Sequence, residues 1–184
     1  MNLSGKQLSL IMPHCPHPDG YSAILTMETQ TAHIDTVTAS AAFLAMLAEE
    51  SSELRVMEEQ GDHGYLGANA KWYGRGWPQL TGLDNYQAAG VATGFDLVGR
   101  PELLLDPQVS GAVAAWFWTL GAGQNLSRAA KAHGLVPGCN LNDVANTPDF
   151  VGVCLAHNGG MNGFEQRRAY YLRALEVLGV GALV

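Results

Sequence analysis

The sequence is poor in cysteine, in basic residues and in long apolar runs. Three cysteines in 184 residues are too few, and odd in number, for a disulfide framework, so we expect reduced thiols. Ten basic residues against 17 acidic ones give a formal net charge of -7, which argues against nucleic acid as a partner. No apolar run reaches the roughly 18 residues of a transmembrane helix. These absences favour a globular domain without a nucleic-acid partner or a membrane span.

Helical periodicity runs along most of the chain, and no convincing alternating strand interrupts it. Pro13 is expected to stop a short first helix, Thr36 to cap a long apolar helix, and Pro107 to open a later one. The glycine-rich stretch 61–82 is expected to be a loop with, at most, a short hairpin. Because no repeat or linker divides the chain, we predict one mainly α-helical domain over residues 1–184.

A glutamate on the apolar helix is the first candidate for chemistry. At about 100° per residue, Phe43, Leu47, Glu50 and Leu54 fall within one narrow arc, which places Glu50 in the middle of an apolar face. An ionised carboxylate is costly among apolar neighbours, so Glu50 is expected to hold its proton near neutral pH, as a general acid must. The alternative is that the helix ends before Glu50 and leaves this side chain solvated. The helical pattern alone favours neither interpretation.

A polar, aromatic loop follows this helix. Residues 73–86 read Tyr-Gly-Arg-Gly-Trp-Pro-Gln-Leu-Thr-Gly-Leu-Asp-Asn-Tyr, a composition suited to binding a sugar. Two carboxyl groups in unlike surroundings can share the proton transfers of glycosidic cleavage. Glu59 lies in a polar segment and Glu50 on the apolar helix, whereas Glu49 and Glu53 project well away from the direction of Glu50. The pattern predicts a carbohydrate cleft.

Several separated motifs occur in one order along nearly the whole chain, from residue 8 to residue 179. They are Phe43 to Ser51, Glu59-Gln60, Tyr73 to Gly76, Gln79 to Gly82, Asn85-Tyr86, Phe95 to Leu97, Pro101 to Leu104, Ala115 to Trp118, Asn158 to Gly160, Arg167 and Tyr171. Together they resemble glycoside hydrolase family 19, which contains chitinases and phage endolysins. The resemblance implies a mainly α-helical, lysozyme-like domain with a catalytic cleft, little or no β-structure, and no metal or organic cofactor.

The resemblance also implies a role for each matching residue. Glu50 matches the general acid of the family, and Glu59 matches its general base, with Glu58 as the competitor for the second role. Thr81 matches the hydroxyl residue that helps to hold the attacking water. The substrate-cleft positions of the family fall on Tyr73, Gln79, Asn85, Asn158 and Arg167.

The family resembles the inverting class of glycosidases, in which the two carboxyl groups lie about 6.5–9.5 Å apart with a water between them. Glu50 would protonate the departing oxygen while Glu59 takes a proton from that water. Two departures from the family pattern stand out. Glu49 occupies the position before the acid where the family usually has histidine, and the segment between Glu59 and Tyr73 is short, which implies an open cleft with few sugar subsites.

Two other sets of reactive residues are interpreted as structural. Residues 13–17, Pro-His-Cys-Pro-His, lack the paired spacing of a zinc site, so no metal site is predicted there. Cys154 lies among the apolar residues Val151, Val153 and Leu155, which is typical of a core thiol and not of a nucleophile.

Three functions fit these residues. The first prediction is a peptidoglycan hydrolase of the endolysin kind, cutting the β-1,4 bonds between N-acetylated wall sugars. The alternative is a chitinase acting on N-acetylglucosamine polymers. A third, from another class, is a wall-binding module with weakened catalysis, in which Glu49 marks the loss. In each, the partner is a polysaccharide and the protein is expected to be a monomer.

The first residues carry a further expectation about location. The start of the chain, residues 1–6, is not followed by an unbroken apolar core, so we expect synthesis in the cytoplasm without a signal peptide. Action on a cell wall would then require release through a holin-type pore or delivery by a secretion system.

Overall fold

A computed structural model describes residues 1–124, 126–147 and 149–180. This part of the chain forms nine α-helices: α1 (Gly5–Ile11), α2 (Pro18–Thr31), α3 (Val37–Glu50), α4 (Leu83–Thr93), α5 (Pro107–Trp116), α6 (Arg128–Ala132), α7 (Leu141–Asn146), α8 (Phe150–Asn158) and α9 (Phe164–Val180). Short 3₁₀ segments cover Gly64–Trp72 and Pro101–Leu105, and a π-helical turn, Phe117–Gly121, follows α5. Strand pairing in these residues is limited to isolated bridges of Arg75 with Glu58 and with Leu80. The predicted mainly α-helical fold is confirmed.

Helix α3 forms the centre of the larger core. The hydroxyl of Thr36 accepts a hydrogen bond from the Ala39 amide and caps the helix, as predicted. All ten residues from 39 to 48 are buried, and five of them are alanines, so neighbouring helices can approach closely on every side. Its main partner is α9, which packs along it. No helix in the described part of the chain is long and apolar enough to cross a membrane.

The end of α3 differs from the prediction. The helix includes Glu50 but stops there, and Ser52, Glu53 and Leu54 adopt φ values of +49°, +64° and +64°. Three successive left-handed residues, none of them glycine, reverse the chain direction, an arrangement that costs energy and must be held by other contacts. Leu54 is buried, but it reaches the core from this turn and does not share the helical face of Glu50. The periodicity therefore predicted its burial correctly and its helical position wrongly.

A second, smaller apolar cluster lies under the polar loop. It contains seven buried residues: Leu80, Tyr86, Ala89, Leu97, Leu104, Val109 and Val113. Pro107 occupies the first turn of α5 as predicted, and the Asp106 carboxylate caps that helix by accepting from the amides of Gln108 and Val109. Trp77 is fully buried, and its amide donates to Ser110 Oγ at 2.6 Å, which fixes the loop to α5. The loop is thus held on a rigid helical base.

Candidate active site

Glu50, the last residue of α3, faces the buried arginine of α9. Arg167 Nη2 donates to Glu50 Oε1 at 2.7 Å, with side-chain exposures of 5% and 19%. With its amide turned so that both ends are satisfied, Asn158 donates to Glu50 Oε1 at 3.3 Å and accepts from Arg167 Nη2 at 3.0 Å. The apolar face predicted around Glu50 is therefore not its whole environment, because the end of α3 also lies against a guanidinium and an amide.

Glu50 opens into a cavity of about 170 Å³. Five of the residues singled out from the sequence line it: Glu50, Gln79, Thr81, Asn85 and Asn158. The remaining lining residues are Pro78, Leu80, Phe117 and His157. The ends of α3 and α8 thus form one wall, and the polar loop with the start of α4 forms the other. A carboxylate surrounded by amides and a hydroxyl can bind hydroxyl and N-acetyl groups of a sugar through hydrogen bonds.

Hydrogen bonds within the loop orient its polar side chains. Thr81 Oγ1 donates to the Gln79 carbonyl at 3.0 Å, which leaves the hydroxyl lone pairs available to accept from a water. Asn85 Nδ2 donates to the Thr81 carbonyl at 2.8 Å. Gln79 has a left-handed backbone, with φ of +49°, and its Nε2 donates to the Gly76 carbonyl at 2.9 Å. The side chains that face the cavity are thereby held in fixed positions.

Glu59 lies beside the Gln79 edge of the cavity, and His63 Nδ1 is 4.0 Å from its Oε2. Its carboxylate accepts from the Tyr65 hydroxyl at 2.8 and 3.0 Å and from the Gly74 amide at 3.0 Å. A Cβ placed on Gly74 would lie 3.1 Å from both Glu59 Oε2 and Gln79 Oε1. The two side chains therefore meet over Gly74. The 6.5–9.5 Å separation expected between Glu50 and Glu59 stays a prediction.

Tyr73 and Glu58 form a separate contact outside the cavity lining. The Tyr73 hydroxyl donates to the Glu58 carboxylate, and this bond is the main cause that raises the pKa of Tyr73. His63 stacks on the Tyr73 ring at 3.7 Å, and Arg75 Cζ lies 3.5 Å from the same ring centroid. At such distances the two partners occupy opposite faces, so Tyr73 has no free face on which to stack a sugar. Glu58 also lies 3.9 Å from Arg75 Nε, so it is engaged by a cation as well.

His157 is a titratable cavity residue that the predicted site did not include. Its Nδ1 is buried without a hydrogen-bond partner in the described part of the structure, and Phe117 packs edge-on against its ring at 5.1 Å. Burial lowers the pKa of His157 to about 4, although the nearby Glu50 carboxylate acts in the opposite direction. The imidazole is therefore neutral near neutral pH. Its position directly before Asn158 is the signal in the sequence that could have found it.

The residues interpreted as structural also lie outside the cavity lining. Cys154 is a buried free thiol, and burial raises its pKa to about 12, which removes the thiolate that a nucleophile needs. His14, in the segment 13–17, is hydrogen-bonded to Glu53. Among the described residues, no group of three or more His, Cys, Asp or Glu side chains is placed to hold a metal ion.

Known proteins resemble this chain in sequence and in fold. "Chitinase 8" of Oryza sativa subsp. japonica is 39% identical over 123 residues, which are 60% of this chain and 46% of that protein. The "Acidic endochitinase" of Petunia hybrida is 34% identical over 122 residues, covering 59% of this chain and 48% of that protein. The chain thus spans about half the length of these relatives.

Solved structures match over a larger share of both chains. A bacterial family 19 chitinase has a TM-score of 0.75 and 25% identity, with 97% of this chain and 96% of that chain covered. Chitinase C from Streptomyces griseus has a TM-score of 0.76 at 23% identity, with 96% and 92% covered. The predicted lysozyme-like helical fold is therefore confirmed. The sequence profile of glycoside hydrolase family 19, described as chitinase class I, matches residues 27–182, and the chain belongs to this family.

Proposed function

We propose that this protein is a chitinase that hydrolyses β-1,4 bonds between N-acetylglucosamine units. The observation that carries the proposal is the Glu50 carboxylate, held by Arg167 and Asn158 at the wall of a cavity rich in amides. Membership of family 19 and the names of its relatives, chitinase and endochitinase, support the same substrate class. The family and these names favour a chitinase, the alternative in our sequence prediction, over a peptidoglycan hydrolase, its first reading.

The proposed reaction is a single displacement with inversion. In the proposed reaction Glu50 enters in its protonated form and gives this proton to the departing glycosidic oxygen as the bond from the anomeric carbon to that oxygen breaks. Arg167 then stabilises the carboxylate that proton transfer leaves on Glu50. The contact also fixes the direction in which the carboxyl group points, so the proton donor is already oriented when the substrate binds.

Glu59 is proposed as the general base on the opposite face of the sugar. Its carboxylate accepts from the Tyr65 hydroxyl and the Gly74 amide, and these two bonds orient it. It takes a proton from a water that attacks the anomeric carbon, while the Thr81 hydroxyl accepts from the same water. Glu58, the competitor for this role, instead accepts from the Tyr73 hydroxyl and lies 3.9 Å from Arg75 Nε.

The test compares two substrates and two neighbouring glutamates. Purified protein is incubated with an N-acetylglucosamine hexamer and, separately, with purified peptidoglycan, and the first anomer formed is identified by proton NMR. We expect cleavage of the hexamer to give the α-anomer, with activity lost in Glu50→Gln and Glu59→Gln but kept in the matched control Glu58→Gln. Digestion of peptidoglycan alone would overturn the chitinase proposal in favour of the endolysin one. Loss in Glu58→Gln with retention in Glu59→Gln would exchange the two roles.

A further inference from the structure

Glu53 is a buried carboxylate that the proposed reaction does not use. It lies three residues after Glu50, in the left-handed turn that ends α3, and only 6% of the residue is exposed. Its carboxylate accepts from the His14 amide at 2.5 Å, from His14 Nδ1 at 3.1 Å and from the Tyr170 hydroxyl at 2.8 Å. A buried charge with several donors is held much more firmly than a solvated one.

The contact from Glu53 to Tyr170 runs parallel to the one from Glu50 to Arg167. Each pair joins the end of α3 to α9. Glu53 lies three residues after Glu50, and its partner Tyr170 lies three residues after Arg167. Three residues are about one turn on α9, so the two contacts follow each other along the interface between these helices. One contact faces the cleft and the other lies outside its lining.

The second contact has surroundings of its own. Glu53 borders a cavity of about 260 Å³, whose other lining residues are Pro13, His14, Gln166, Ala169, Tyr170 and Arg173. None of these residues lines the cavity at Glu50. An effect of Glu53 on a sugar in the cleft would therefore be transmitted through α3, the left-handed turn and α9.

We propose that Glu53 is a positioning residue, which clamps the turn after α3 onto Tyr170 and His14 and so fixes the Glu50–Arg167 pair. This inference rests on the proposed role of Glu50 as general acid. The turn at residues 52–54 has an unfavourable backbone conformation, so it needs contacts of this kind to persist. Without them the last turn of α3 is free to relax, and the Glu50 carboxyl group loses its fixed direction.

Burial by itself raises the pKa of Glu53, but the bonds from the His14 amide, the Tyr170 hydroxyl and the His14 ring outweigh it, and the net pKa is lowered. The carboxylate is thus charged when the proposed reaction occurs. A charged carboxylate that accepts three hydrogen bonds gives the clamp directional contacts that an apolar side chain could not supply.

The test separates positioning from general stability. Glu53→Ala, Glu53→Gln and Tyr170→Phe are compared with Asn142→Ala, which removes hydrogen bonds to Trp118 and to the end of α2 from a residue outside the lining of the cavity at Glu50. Kinetics on the chitin hexamer are measured well below the unfolding temperature of every variant. We expect Glu53→Ala to lower kcat about tenfold with KM within about twofold, and Glu53→Gln to recover part of the loss. A kcat of Glu53→Ala equal to that of Asn142→Ala would overturn the proposal.

A second readout does not require activity. The guanidinium NMR signals of Arg167 are recorded in each variant, since a side chain fixed by Glu50 gives sharp, slowly exchanging signals. We expect these signals in the wild type and in Asn142→Ala, and their loss in Glu53→Ala. If the wild type cleaves no chitin but the signals change as expected, the proposed function fails and the clamp stands. Unchanged signals in Glu53→Ala would overturn the clamp whatever the activity.

Discussion

Arg167 holds the carboxylate of Glu50 across the interface between α9 and α3, with Nη2 2.7 Å from Oε1. A lysine has one charged nitrogen on a flexible stem and cannot reproduce the direction of a guanidinium that also contacts Asn158 and the Asn162 carbonyl. We therefore predict that Arg167→Lys lowers kcat on the chitin hexamer about tenfold or more, and Arg167→Met further.

The matched control is Arg168→Lys. Arg168 is the next residue on α9 and is exposed. Its replacement should leave both kcat and the unfolding temperature within experimental error. Equal losses in Arg167→Lys and Arg168→Lys would contradict a specific role for the contact with Glu50.

The sequence predicts the start and the apolar body of α3 because both follow from local rules, whereas the helical pattern left open whether the helix reaches Glu50. Thr36 is a good N-cap, and the apolar residues that follow fill a buried helix. The reversal at Glu53 could not be foreseen in the same way. Positive φ values are ordinarily indicated by glycine in the sequence, but here they occur at residues that are compatible with a continuing helix. The apolar periodicity therefore wrongly predicted that the helix extends to Leu54.

The lining of the cavity agrees best with the predicted residues where these are neighbours on one loop. Gln79, Thr81 and Asn85 lie close in sequence on one loop, and the structure places all three at the cavity. Tyr73 lies on the same loop, but its ring is covered by His63 and Arg75, contacts that depend on how the loop folds back on itself. His157 is separated from the loop by more than 70 residues of sequence, so only the tertiary structure brings it to the cleft.

Gly74 tests the position of Glu59. Since a Cβ at this residue would lie 3.1 Å from Glu59 Oε2 and from Gln79 Oε1, an alanine must displace one or both side chains. We predict that Gly74→Ala lowers kcat about tenfold while changing the unfolding temperature little, because both displaced groups border the cleft and not the core.

A glycine with open space around it is the control for this prediction. Gly20 lies on α2, and a Cβ added to it would have no atom within 4 Å. Gly20→Ala should keep full activity and be slightly more stable, as expected for alanine in a helix. The displacement can be checked directly in a crystal structure of Gly74→Ala. If Glu59 stays in place there while kcat falls, the loss has another cause.

His157 makes stability depend on pH. Its pKa is about 4 in the folded protein, against an ordinary value of 6.5, because burial disfavours the charged ring. Below pH 6.5 His157 is protonated in the unfolded chain, whereas in the folded protein it is protonated only below about pH 4. The stabilising effect of the neutral ring is therefore complete above pH 6.5 and is lost as the pH falls towards 4, with a total on the order of 3 kcal/mol.

Replacement of His157 by phenylalanine removes this dependence and can retain the edge contact with Phe117. In urea unfolding followed by circular dichroism from pH 7 to 4, we expect the wild type to lose stability steadily and His157→Phe to lose much less. Below about pH 4.5 the free energy of unfolding should decrease in the wild type and in His157→Phe alike. Glu53, whose pKa is lowered in the folded protein, stabilises it only while its carboxylate is charged. His33→Gln is the control, since the His33 side chain is 86% exposed and its loss should leave the wild-type slope. A slope in His157→Phe as steep as that of the wild type would show that His157 is not the group responsible.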